Sequence, residues 1–129
     1  MNLKQTRLVT SDVQKLTDFY EKLTGATAEI INSGYVEFQR SPCAGLAITS
    51  AAAAEIYGEG VLSSSANRSL VLDFEVSDVD AHYDRLKDRI GEWVKPPTDL
   101  PWGNRAMLFR DPDGNLVNMF AVKRTQADT

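Results

Sequence analysis

Residues 105–123 read RAMLFRDPDGNLVNMFAVK, and the fold is decided there. Two runs rich in apolar and aromatic residues flank Asp111-Pro112-Asp113-Gly114-Asn115. Pro112 fixes its own φ and biases Asp111 toward extended backbone, and Gly114 or Asn115 can supply a positive φ. The pattern predicts a β-hairpin with a turn longer than two residues. In the second run, Asn118 interrupts an apolar stretch. An amide inside a buried strand needs a hydrogen-bond partner, a ligand or water. Asn118 is therefore either a satisfied core amide or a residue that points into a pocket.

Working outward, the chain repeats itself. Residues 10–25 read TSDVQKLTDFYEKLTG and residues 76–91 read VSDVDAHYDRLKDRIG. Ser11/Ser77, Asp12/Asp78, Val13/Val79, Asp18/Asp84 and Gly25/Gly91 coincide in that alignment. Further on, Arg40-Ser41-Pro42 and Leu46 correspond to Arg110-Asp111-Pro112 and Leu116. A common order of matches implies two modules. In each, a Ser-Asp pair is placed to cap a helix. Val13, Leu16, Phe19, Tyr20 and Leu23 recur at helical spacing, which predicts an amphipathic helix over 13–24 that Gly25 closes. The second helix is expected over 79–89, ended by Gly91. Strands are expected at 4–10, 27–32, 35–40, 45–50, 70–76, 93–95 and on either side of the 111–115 turn. Pro96-Pro97 is expected to cut the 93–95 strand short, and 99–103 is read as a loop carrying Trp102. The organisation is a single domain over 1–129: module one 1–50, a linker 51–68, module two 69–124 and a tail 125–129.

Composition excludes several function classes. The net charge is −4 and the pI near 4.9, with lysines and arginines scattered. That argues against a nucleic-acid or anionic-membrane partner. A single cysteine, Cys43, permits no intrachain disulfide. No apolar stretch approaches membrane-spanning length, and MNLKQTRLVTSD lacks the apolar core of a signal peptide. The expected location is the cytoplasm. His82 reads as a helix-surface or partly buried residue, and Cys43 and Ser63–Ser65 have no base beside them in sequence that would make them nucleophiles.

Two strand–helix–strand–strand–strand modules, an SDV helix start in each, and the closing W-G-x-R…F-R-D-P-D-G-N-L stretch resemble the vicinal oxygen chelate superfamily, the glyoxalase, bleomycin-resistance and extradiol-dioxygenase group. The resemblance covers nearly the whole chain. It implies an α+β fold in which two βαβββ modules form a curved, mostly antiparallel eight-stranded sheet around a cleft. Its enzymes hold a divalent metal there through His, Glu or Gln. Carried over position by position, the four ligand sites fall on Gln5, Ile48, Val71 and Asn118. Valine and isoleucine cannot ligate, and neutral amide oxygens suit Zn²⁺, Fe²⁺ or Ni²⁺ poorly. No metal and no cofactor is therefore expected.

Strand alternation fills in the rest of the cleft. If Gln5 faces it, so does Arg7; if Val71 does, so do Asp73 and Glu75; if Asn118 does, so does Phe120. Trp102 and Arg105, with Tyr35, Phe38, Phe109 and Tyr57, are candidate rim residues. The expected ligand-binding set is Gln5, Arg7, Asp73, Glu75, Trp102, Arg105, Asn118 and Phe120, with Arg7 bridging Asp73 or Glu75. Three functions fit: a metal-free protein that sequesters a drug or metabolite; a metal-dependent lyase, isomerase or dioxygenase; or a metal-free enzyme using Glu75 or Asp73 as base. The four ligand positions favour the first, with a small-molecule ligand and a homodimer as the expected partners.

Overall fold

The computed structural model describes residues 1–123; the tail expected at 125–129 lies outside them. The chain forms two compact units that divide between Ala66 and Asn67. The first contains β1 (Thr6–Thr10), α1 (Val13–Thr24), β2 (Glu29–Asn32), β3 (Tyr35–Phe38), β4 (Leu46–Ser50) and α2 (Ala51–Ala54), followed by a 3₁₀ turn at Glu55–Tyr57. The second contains β5 (Val71–Glu75), α3 (Val79–Leu86), β6 (Glu92–Asp99), β7 (Asn104–Arg110) and β8 (Leu116–Val122). The eight strands form two four-stranded sheets of matching order, β1-β4-β3-β2 and β5-β8-β7-β6. In each, the first strand runs parallel to the last and the other pairs are antiparallel. Two βαβββ modules are thus present. The expected linker is in part a piece of module one, because α2 packs on β4 and β1.

The capping residues do what their chemistry suggests. The Asp12 carboxylate accepts from Lys15 N–H at 3.0 Å, and Asp78 accepts from Ala81 N–H at 3.1 Å. Each satisfies a donor that the first helical turn leaves open. Gly25 ends α1 at φ 75°, a conformation that costs glycine little. α1 lays Leu16, Tyr20 and Leu23 on one face of the first sheet, against Leu8, Val36, Phe38 and Ile48. α3 lays Val79 and Leu86 on one face of the second, against Met107, Phe109, Val117 and Met119. One face of each sheet is therefore core, and the other carries no helix of the α1 or α3 kind.

Two expectations are corrected. α3 stops at Leu86 and is capped by Lys87 in right-handed backbone, so Gly91 is not its terminator. β6 runs through Pro96 and Pro97 to Asp99. It is an edge strand, and its pairing with β7 shifts register between Lys95 and Thr98, so the prolines fall in an irregular stretch.

The 111–115 turn forms as read. Buried Asp111 accepts from Asp113 N–H at 2.9 Å, Asn115 N–H at 3.0 Å and Asn115 Nδ2 at 2.8 Å, and Gly114 has φ 87°.

Candidate functional site

In module two, β5 alternates cleanly. Leu72 and Phe74 turn toward the helix, while Val71, Asp73 and Glu75 are exposed on the opposite face. In β8, Val117 and Met119 are buried on the helix side, which leaves Leu116, Asn118 and Phe120 on the other. The register aligns Asp73, Asn118 and Leu108 in one row and Glu75, Phe120 and Ala106 in the next. Asn118 Nδ2 donates to Asp73 Oδ1 at 2.9 Å. A carboxylate only accepts, so it fixes the amide with its nitrogen toward Asp73. The amide oxygen, Asn118 Oδ1, is buried and has no hydrogen-bond partner. The two residues that sequence periodicity put on one face with Asn118, Asp73 and Phe120, are beside it. Among the described residues, neither Asp73 nor Glu75 is paired with a lysine or arginine of the module. Arg110, on the same face, is engaged by Glu92 at 3.4 Å and the Gly114 carbonyl at 2.9 Å.

Arg105 belongs to the other side. It contacts Asp80 of α3 through Nε and Nη2, both at 2.8 Å, and Asp99 through Nη1 at 3.1 Å. It ties the second sheet to the first turn of its helix, which removes it from the binding set. Trp102 sits 71% exposed in the β6–β7 turn, beyond the rows that hold Asn118 and Phe120. Phe38 and Phe109 are core residues, not rim residues.

The helix-free face of module one carries a polar chain. Gln5 Nε2 donates to the Tyr35 hydroxyl at 2.8 Å, Tyr35 donates to Glu37, and Gln39 Nε2 donates to Glu37 at 2.9 Å. Burial and the Glu37 carboxylate push the Tyr35 pKa up. The hydrogen bonds from Tyr35 and Gln39 hold Glu37 below the usual carboxylate range. Both directions leave the proton on Tyr35. Arg7 donates to the Tyr57 hydroxyl at 2.5 Å, with its guanidinium 5.2 Å from that ring's centroid. Arg7 and Asp73, expected to pair with each other, each have a partner inside their own module. Glu37 escaped the sequence reading; its spacing of two from Tyr35 is the signal that places it on the same face.

The register also corrects one ligand position. Arg7 pairs with Ala47 in β1–β4 as Asp73 pairs with Asn118 in β5–β8. The counterpart of Asn118 is therefore Ala47, and Ile48 faces α1. A slip of one residue reverses the face. The four positions become Gln5, Ala47, Val71 and Asn118. Two of them have no donor atom and two offer neutral amides, so the residues do not fit a transition metal. Among the described residues no group of three or more His, Cys, Asp and Glu could hold one. His82 lies on α3 with Nδ1 3.0 Å from Arg85 Nε, and burial followed by the Arg85 charge lowers its pKa. The Cys43 thiol is buried, which raises its pKa to about 11 and keeps it protonated and unreactive.

Residues 2–119 match the family model described as glyoxalase/bleomycin resistance protein/dioxygenase superfamily. The chain belongs to that superfamily. It is 31% identical to the uncharacterized protein YraH of Bacillus subtilis (strain 168), over 95% of this chain and 99% of that one. It is similar to a glyoxalase/bleomycin resistance protein/dioxygenase from Nocardioides, with a TM-score of 0.77 and 28% identity over 96% of this chain and 85% of the other. A family enzyme from Burkholderia phytofirmans PsJN shares the fold at a TM-score of 0.83 and 16% identity, over 95% and 99% of the two chains. No helix among the described residues is long and apolar enough to cross a membrane.

Proposed function

We propose that this glyoxalase-superfamily chain is a metal-free small-molecule-binding protein, a cytoplasmic homodimer that holds a drug or metabolite against the helix-free faces of its modules. The observation that carries the reading is the donor set at the superfamily's ligand positions: Gln5, Ala47, Val71 and Asn118 supply no imidazole, thiolate or carboxylate. Polar groups set among apolar ones suit recognition of a small organic molecule. Asp73 and Glu75 support binding over base catalysis, since both are exposed and a general base near neutrality needs a carboxylate drawn out of water.

The test is elemental analysis of untagged protein, followed by thermal-shift titration with Zn²⁺, Ni²⁺, Mn²⁺ and Fe²⁺ and a screen of antibiotics and metabolites. The expected result is no stoichiometric metal, no saturable stabilisation by any of the four ions, and at least one organic hit. One equivalent of metal that is lost in Asn118→Ala and Gln5→Ala would overturn the reading.

A further inference from the structure

The buried oxygen of Asn118 has a consequence for ligand chemistry. Leaving an acceptor buried and unpaired is costly, yet flipping the amide would set oxygen against the Asp73 carboxylate. The arrangement therefore holds an acceptor in place for a donor that the module does not supply. Its surroundings define that donor. Leu108 stands directly across from Asn118 on β7, and Leu116 and Phe120 flank it along β8, all on the same face. On the β5 side are Asp73 and Glu75, two carboxylates with no cationic partner among the described residues of the module. Among the described strand residues, the cations on this face of the sheet are Lys95 on β6, three strands from β5, and Arg110 on β7, which Glu92 and the Gly114 carbonyl engage. The site offers an oriented acceptor, uncompensated negative charge to one side, and apolar and aromatic surface around both.

We infer that the helix-free face of module two takes an organic ammonium group with at least one N–H, on an apolar or aromatic body. The N–H donates to Asn118 Oδ1, Asp73 and Glu75 balance the positive charge, and Phe120, Leu108 and Leu116 cover the body. This rests on the binding function proposed above and names the chemistry of the ligand. A quaternary ammonium has the charge without the donor, and a carboxylate has neither.

Benzylamine, benzyltrimethylammonium and benzoate separate these features on one ring. Binding is read by titration calorimetry and by side-chain amide NMR on the full chain. Benzylamine is expected to bind saturably and to shift the Asn118 amide resonances. Benzyltrimethylammonium is expected to bind at least about tenfold more weakly, the value of one charge-assisted hydrogen bond, and benzoate not at all. Asn118→Leu is expected to lose benzylamine binding by tenfold or more without a drop in melting temperature, because it removes an unsatisfied buried group. A purely structural asparagine would instead destabilise the fold when replaced. Asp73→Asn, at an exposed position, tests the charge independently of folding and is also expected to weaken benzylamine. Equal affinity for benzylamine and benzyltrimethylammonium, unchanged binding in both variants, or no benzylamine binding would overturn the inference. If the screen still finds a metal-free ligand, the proposed function survives that result; a metal bound at Asn118 would end both.

Discussion

Asp111 shows how much one side chain can organise. Its two oxygens take two backbone N–H groups and an amide within five residues, at a buried site. Asp111→Ala would orphan all three donors, each worth roughly 1 kcal/mol or more when stranded. The expected loss is about 2–4 kcal/mol in urea unfolding at pH 7; a loss below about 1 kcal/mol would mean that water replaces the carboxylate. This residue was legible because the D-P-D-G-N run has turn chemistry at every position. Asn118 was legible for a different reason: an amide in an apolar strand announces that something must satisfy it. Tyr57 was only loosely so. Its contact with Arg7 spans fifty residues of sequence, and no local period connects a 3₁₀ turn to a strand. The Ile48 assignment failed because strand faces alternate residue by residue, while the repeat offset was known only to within a residue.

At the scale of elements, α3 is held by charge as well as by packing. Arg105 binds Asp80 and Asp99, and Lys123 Nζ also reaches Asp99 at 2.8 Å. The hydrogen bonds from Arg105 hold Asp80 below its usual pKa, and Lys123 followed by Arg105 does the same for Asp99. Folded-state pKa values below the unfolded value of about 3.9 mean stabilisation that is fully present above that pH and lost as pH falls through the depressed values. Arg105→Gln is accordingly expected to lower the melting temperature at pH 7, with the gap from the parent closing as pH drops from about 4 toward 2. A gap that stays constant over that range would assign the loss to packing. A second element-level link runs from a turn to a helix. A Cβ at Gly34 would lie 3.0 Å from Ser50 Oγ, and that hydroxyl caps α2 by accepting from Ala53 N–H at 3.0 Å. Gly34→Ala is expected to cost about 1 kcal/mol, the scale of a lost cap, and to loosen the 3₁₀ turn that carries Tyr57 to Arg7. Unchanged stability and unchanged Tyr57 fluorescence would show that Ser50 simply moves aside. β6 marks the limit of sequence reading at this scale: proline excludes a central strand, but nothing local says which strand will lie at an edge.

For the whole molecule, the repeat was the most readable property, because a βαβββ unit writes the same helix start and the same strand pattern twice. The division into two modules, their helices and the order of their strands follow from it. What a single chain does not display is how many copies act together. Ile56 is 86% exposed, Val61 60% and Leu62 47%, apolar surface beyond what one copy covers. A dimer mass in light scattering at micromolar concentration is expected, with Val61→Asp and Leu62→Asp together shifting it toward the monomer. A monomeric parent protein would refute the dimer and leave these residues without a role.

Two of the four edge strands, β2 and β6, will age differently in a crowded cell. β6 presents two prolines and Lys95 along its free side, a poor template for any strand that drifts past. β2 is more thinly guarded: all four of its residues are exposed, Ile30 by 75%, with one charge at Glu29 and a bulge at Ile31 to spoil its regularity. The half of the chain that leaves the ribosome first therefore carries the more adhesive border. Misassembly during synthesis should begin there, and Ile30→Lys should raise the refolded yield after dilution from urea while leaving ligand affinity unchanged.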